Sequence, residues 1–466
     1  MKKKKYTEHG QALILIALAM VGLVGFTALA IDGGNVFSDR RHSQNASDTS
    51  VLAAALERVR RPTQDWKSVA ISRAADNGYS AADGVTEVNV YLCSELPVTI
   101  NGYTMTCKGL KPADDPTQFV YVHIKSLVKL FFAPVLGWRT VTNHTDAVAQ
   151  ATIPVPTNMA DGYGIWSTHE GCNSPGEGDP FELGGSGDAE VIGAGVLVGA
   201  NCPTDDSFVQ NGNPTLNTTT GVCVNGTANY DPNEITSDIG PSLQEGCPAV
   251  DPDAYQIPPA PECTTQGRLV QDANGDYIAI PGYFDKTGNR QFPDVNGQVT
   301  VKLTKGVYCL YNGINVNAGI TLTSDGDGDG HEPGTEGVLF YLPGLESSDS
   351  IQFNGGATIN LHAISSMSSS NFDDSWLNLL IFVNPDYEAD IDISGNTGST
   401  YTGTILAPSA HVHLLGNNGT SAGTVTLDSQ IISDTVQISG DTDFTLIYDE
   451  SNNIVTLTNP GIHLIE

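Results

Sequence analysis

Ile314-Asn315-Val316-Asn317-Ala318-Gly319, Ile351-Gln352-Phe353-Asn354-Gly355-Gly356 and Ile391-Asp392-Ile393-Ser394-Gly395-Asn396 are three versions of one short phrase. In each, apolar and polar side chains alternate, and a Gly or Asn follows. Alternation at period two makes a strand with one buried face, and Gly or Asn supplies the left-handed backbone of a corner. His411 to Asn417 and Thr435 to Gly440 continue the series at irregular spacing. One such strand cannot bury its apolar edge alone. Stacked coils bury it continuously, so the pattern predicts a solenoid, a parallel β-helix, with a β-sandwich as the alternative.

Around these phrases the chain from 166 to 466 is rich in Gly, Asn, Ser, Thr and β-branched residues and offers no long amphipathic helix. Pro154-Val155-Pro156 through Gly164 reads as a linker. Before it, Val85 to Leu92, Val98 to Thr106, Val120 to Ile124 and Ala147 to Ile153 read as strands. Asn35 to Arg60 is helix-compatible, with small residues at Ala46, Ala53, Ala54 and Ala55, and a second helix is expected between Pro62 and Gly78. Together these form a small α+β domain.

At the N-terminus Lys2, Lys3, Lys4 and Lys5 precede an uncharged run from Ala12 to Ile31, about one bilayer core long as a helix. Basic residues stay on the cytoplasmic side, so the run predicts a single transmembrane helix with the bulk of the chain outside the cell or in its envelope. Ala28-Leu29-Ala30 offers a signal-peptidase site as the competing reading, but the run is long for a signal peptide. The expected organisation is a cytoplasmic basic leader (1–11), a transmembrane helix (12–31), an α+β domain (32–154), a linker (155–165) and an extracellular β-solenoid (166–466).

Charge divides the chain. Residues 1–165 hold 16 Lys or Arg against 14 Asp or Glu, whereas 166–466 hold 5 against 39, and no Lys or Arg follows Lys305. Such a surface repels nucleic acid and anionic polymers and attracts divalent cations. The eight cysteines, Cys93, Cys107, Cys172, Cys202, Cys223, Cys247, Cys263 and Cys309, all follow the apolar run, and an even number in an exported chain reads as disulfides. Cys93 and Cys107 bracket a turn and are expected to pair; the other six leave fifteen connectivities open. No Cys-x2-Cys spacing supports zinc.

Asp325-Gly326-Asp327-Gly328-Asp329-Gly330 with Glu336 places carboxylates at positions 1, 3, 5 and 12 of a loop and Gly at 6, the ligand pattern of an EF-hand calcium loop. Asp325, Asp327, Asp329 and Glu336 are therefore the expected Ca²⁺ ligands, although Gly319 to Thr323 and Gly337 to Leu342 on either side read as strands, not helices. His411 and His413 share one strand face, as do Asp390 and Asp392. The first pair lacks a third metal ligand. The second raises the alternative of a polysaccharide-active enzyme, for which no Lys or Arg is at hand to grip an acidic sugar. No nucleophile elbow, phosphate loop or dinucleotide fingerprint is present, and the expectation is a protein that is not an enzyme.

His9-Gly10-Gln11-Ala12-Leu13, Ala30-Ile31-Asp32-Gly33-Gly34, Arg40-Arg41 and Gln44-Asn45-Ala46-Ser47-Asp48, with Phe131-Phe132-Ala133-Pro134-Val135-Leu136-Gly137, resemble the N-terminal module of TadE/TadG-like proteins of Tad (Flp) pilus assembly over roughly the first 155 residues. Gly306-Val307-Tyr308-Cys309 and Thr404-Ile405-Leu406-Ala407-Pro408 resemble the β-helical extracellular parts carried by some proteins with this module. The resemblance implies a membrane-anchored surface protein whose partners are the pilus machinery or a cell-surface glycan or protein, with a structural or adhesive role. A minor pilin is a further alternative, but Leu15 stands where a cleaved pilin has Glu.

Overall fold

The computed structural model describes residues 9–61, 64–112, 114–169, 179–200, 206–284, 290–324, 337–344, 350–365, 373–394, 398–415, 425–440 and 443–465. They divide into two compact units, the first made of residues 1–155 and 459–466 and the second of residues 156–458.

In the first unit the apolar run and the helix-compatible stretch beyond it form one unbroken helix, α1 (His9–Arg60). Gly33 and Gly34 do not interrupt it. The helix-turn they occupy is held from outside instead, because the buried Asp32 carboxylate accepts the backbone N–H groups of Phe131 (2.7 Å), Phe132 (3.0 Å) and Ala133 (2.7 Å). A second helix, α2 (Trp66–Asp76), is N-capped by Asp65 and ends at Asn77, after which Gly78 takes positive φ. Ala46, Val51, Ala54 and Ala55 of α1 are buried on a sheet face lined by Val120, Val122, Ile124, Ala147, Ala149 and Ala151. Small side chains on both surfaces let helix and sheet approach closely.

That sheet is antiparallel, in the order Glu87–Leu92, Phe119–Lys129, Thr140–Thr152, Gly461–Ile465. Its last strand comes from the far end of the chain, which the sequence reading, having run the solenoid to residue 466, did not anticipate. The expected strand over 98–106 is a hairpin, Val98–Ile100 with Tyr103–Met105, turned at Asn101 and Gly102, both at positive φ. Cys93 and Cys107 are disulfide-bonded, as expected, across this hairpin.

The second unit is a parallel β-helix with three faces. On the first face the described parallel strands stack in the order 282–284, 306–310, 338–342, 379–383, 404–415, 431–439, 165–167, 196–198, 222–224, 243–245. The long strands Thr404–Leu415 and Ile431–Ser439 bend onto the second face, beside Asp390–Ser394 below and Phe181–Gly185 above. The third face runs from Tyr277–Ile280 to Ile235–Ser237 in the same sense, with Arg268–Gln271 antiparallel at its lower end. Ile351, Phe353, Ile391, Ile393, Val412, Leu414, Val436, Ile438, Phe181 and Leu183 point into one continuous core. Gly319 and Gly356 adopt the positive φ expected at corners, while the third predicted corner, 395–396, lies outside the described residues.

The coils are not stacked in the order in which they occur along the chain. Residues 165–245 climb away from the middle of the stack. The chain then returns to the bottom, and residues 277–447 climb until their last coil docks under the first. Ile431, Ile432 and Ser433 pair with Ile165, Trp166 and Ser167, and Phe444 to Ile447 pair with Ala189 to Ile192. Both segments ascend in the same direction with parallel strands, so the joint between them continues the ladder on all three faces.

The returning segment, residues 247–263, is a strap over the outer surface of the first face. It is fixed at its start by the Cys223–Cys247 disulfide and at its end by Cys263–Cys309. Between them Tyr255 packs edge-on against Trp166 at 5.9 Å, and Trp376 Nε1 donates to the Pro259 carbonyl at 2.7 Å. Val338–Leu342 and Leu379–Val383 are buried at every position because Leu339, Tyr341 and Phe382 face out into a second apolar layer, to which the strap contributes Tyr255 and other segments contribute Met159, Trp376 and Ile454. Cys172 and Cys202 lie outside the described residues.

Candidate functional site

On the second face the inward half of each strand is apolar, and what remains for the surface is set by the alternate residues. Parallel register stacks these into columns. Gln352 lies beside Asp392, Asp392 beside His413, His413 beside Gln437, and Gln437 beside Glu182. The neighbouring column runs Ser350, Asp390, His411, Thr435. Side chains bond along the columns: His413 Nδ1 meets Asp392 Oδ1 at 2.9 Å, Gln437 Nε2 donates to Glu182 Oε2 at 2.8 Å, and His411 Nδ1 meets Thr435 Oγ1 at 2.7 Å.

The segment Asp386 to Ala389 rises beside these columns and makes them the floor of an open groove, lined by Asp386, Glu388, Asp390 and Asp392 with His411 and His413. Around the next corner His169 Nδ1 meets Asp434 Oδ1 at 3.0 Å in a neighbouring depression that also contains Asp253. Among the described residues neither depression is lined by a Lys or Arg. The field is therefore negative, and the Asp392 hydrogen bond, reinforced by the charges of Asp390 and Glu182, raises the His413 pKa despite partial burial. The groove favours a cation or a hydroxyl-rich ligand that donates hydrogen bonds, and it disfavours an anion.

Of the residues singled out from sequence, the structure brings Asp390, Asp392, His411 and His413 together in this groove. Sequence reasoning missed Asp386, Glu388, His169 and Asp434, the last two because they are 265 positions apart and meet only across the joint. Among the described residues no group of three or more His, Cys, Asp or Glu side chains is placed to hold a metal ion. Asp325, Asp327, Asp329 and Glu336 lie outside the described residues. The segments flanking them are the strands Ile320–Thr323 and Val338–Leu342, as expected.

The first unit holds a second polar cluster. His123 Nε2 and His144 Nδ1 are 3.0 Å apart, Tyr103 stacks on both rings, and the Tyr103 and Tyr121 hydroxyls both donate to Asp146. Burial lowers the pKa of both histidines and pushes Tyr103 up to about 12. The same unit carries a large apolar surface: α1 is long and apolar enough to cross a membrane, and its apolar stretch is uncovered.

Residues 10–57, almost the whole of α1, match the Tad family, described as "Putative Flp pilus-assembly TadE/G-like". No curated protein matches the chain. Among solved structures, the competence-associated pilin ComZ from Thermus thermophilus aligns at 10% identity over 76% of this chain and 82% of that chain, with a TM-score of 0.27, a value that does not establish a shared fold.

Proposed function

With the TadE/G-like character of residues 10–57 as the premise, we propose that this is a membrane-anchored surface protein of the Tad/Flp pilus-assembly type, in which the β-helix works by noncovalent contact. The observation that carries the reading is the continuity of α1: a TadE/G-like apolar helix runs without a break into the core of a folded unit. The N-terminus is cytoplasmic and the solenoid outside, following the lysine leader. The first unit engages the membrane and pilus machinery, and the second presents its acidic groove to a cell-surface glycan or protein.

A strain lacking the gene is expected to lose Flp filaments or surface attachment, and restoring the full chain is expected to recover them. Unchanged filament number together with unchanged attachment would reject the proposal. N-terminal sequencing separates a permanent anchor from a minor pilin: the anchor keeps its lysines, whereas a processed pilin starts at Gln11.

The proposal extends to calcium. Asp325, Asp327, Asp329 and Glu336 have the spacing of an oxygen cage, and in sequence they fall between the strands Ile320–Thr323 and Val338–Leu342. Titration calorimetry on the whole chain is expected to give heat at millimolar Ca²⁺ that Asp327→Ala abolishes. No heat, or heat unchanged in the variant, would remove the ion from the account.

A further inference from the structure

The loop between the strands Phe119–Lys129 and Thr140–Thr152 has the sequence Phe131-Phe132-Ala133-Pro134-Val135-Leu136-Gly137-Trp138, and nearly all its apolar side chains face outward. Val135 is 90% exposed, Leu136 78%, Phe131 71% and Trp138 69%. A soluble surface rarely gathers so much uncovered apolar area at one place.

The loop backbone is hydrogen-bonded at both ends. Asp32 fixes the N–H groups of Phe131, Phe132 and Ala133, and Val135, Gly137 and Trp138 donate backbone hydrogen bonds to Phe132, Pro134 and Ala133. Gly137 closes the turn at φ 97°, a conformation that suits glycine. The side chains of Phe131, Val135, Leu136 and Trp138 are turned outward on this backbone.

Their position tells what they meet. Val135, Leu136 and Trp138 form one apolar groove with Val21, Val24 and Leu29 of α1. Val24 lies eight residues before Asp32, about 12 Å further along the helix, within the uncharged run from Ala12 to Ile31. Lys129 and Arg139, both exposed, stand at the base of the loop, with Arg40 and Arg41 on the adjoining part of α1. An apolar tip, a Trp at its edge and a basic collar are the distribution that a lipid interface selects, the collar lying at headgroup level where anionic lipids are found.

We infer that loop 131–138 is a second membrane contact, inserted into the leaflet nearest the folded unit, with Lys129 and Arg139 among the phospholipid headgroups. The inference rests on the reading that Ala12 to Ile31 spans the bilayer. The helix and the loop then hold the membrane at two points, and Asp32 fixes their relative depth.

The test uses the full chain in vesicles of phosphatidylethanolamine and phosphatidylglycerol. A fluorescent amino acid is placed by codon suppression at Val135, at Val24 in the span or at the exposed Ala82 of the same unit. Quenching by brominated lipid is compared with quenching by aqueous iodide. Lipid quenching at Val135 is expected to match that at Val24 and to exceed that at Ala82 severalfold, while iodide quenches Ala82 alone. If Val24 is lipid-quenched but Val135 responds only to iodide, the anchor stands and the loop inference falls. If both respond only to iodide, the spanning reading falls and the inference with it. If Val135 is shielded from both quenchers, protein covers the loop and the lipid contact is overturned.

Discussion

At the residue scale, two kinds of position carry the consequences. Gly440, Gly185 and Gly212 stack at one corner of the solenoid, and a Cβ on Gly185 would come within 2.2 Å of the Gly440 carbonyl oxygen. Gly185→Ala is expected to destabilise the second unit by about 3 kcal/mol, from a backbone clash added to the cost of positive φ. Gly275, at φ 95° with open space around it, is the control: Gly275→Ala suffers the φ penalty alone, about 1 kcal/mol. Denaturant unfolding of both variants measures the difference. Histidines give the pH dependence, in opposite senses. His413 has a raised pKa in the folded state, so its bond to Asp392 stabilises fully below the unfolded value of about 6.5 and fades as pH rises through the folded value. Because the pair is partly exposed, the advantage over His413→Gln is expected to be about 1 kcal/mol or less at pH ~5.5 and to fade as pH rises through the folded value. His123 and His144 have lowered values, so they favour the first unit above pH ~6.5 and cost it stability as pH falls through their folded values. Melting of the wild type and of His413→Gln across that range separates the two units.

At the element scale the strap is the most exacting piece. Cutting both of its disulfides by Cys247→Ser and Cys263→Ser is expected to cost about 2–5 kcal/mol and to open residues 247–263 to protease while the coils beneath stay resistant. Limited proteolysis with mass spectrometry reads this directly; a strap as resistant as before would show that Tyr255 and Trp376 alone suffice. Strands were the part most legible in sequence. The alternation at Ile351 to Phe353 or Ile391 to Ser394 announces a face that is buried on one side, and the apolar run Leu379 to Val383 announces burial on two. The strap was not legible, because a Pro-rich polar segment looks like any loop until the apolar layer that Tyr255 joins, with Leu339, Tyr341 and Phe382, is known. The groove was half legible. Asp390 with Asp392 and His411 with His413 are visible as i, i+2 pairs within strands, but parallel register, which sets one pair above the other, is not written in either strand.

At the scale of the whole molecule, coil order was hidden for the same reason. A solenoid strand carries its inward pattern, with no mark of which neighbour lies above it, so nothing in Ile431 to Ser433 points to Ile165 to Ser167. The joint makes the two halves of the β-helix one cooperative body. Phe181→Ala, at a fully buried position whose strand pairs across the joint, is expected to cost about 3–5 kcal/mol and to split thermal unfolding into two transitions. Calorimetry that keeps a single, merely earlier transition would show the halves coupled elsewhere.

The strand Gly461–Ile465 pairs with Thr140–Thr152 in the sheet that packs on α1. The sheet on α1 is thus closed by a strand that comes more than 300 positions after its partner, at 461 against 152, and it stays open until the β-helix segment between them has been made. A copy broken off anywhere before Gly461 leaves the backbone of Thr140–Thr152 with an unpaired edge, the kind of surface that aggregates or attracts proteases. The first unit thereby registers whether the β-helix segment has been made through to Gly461.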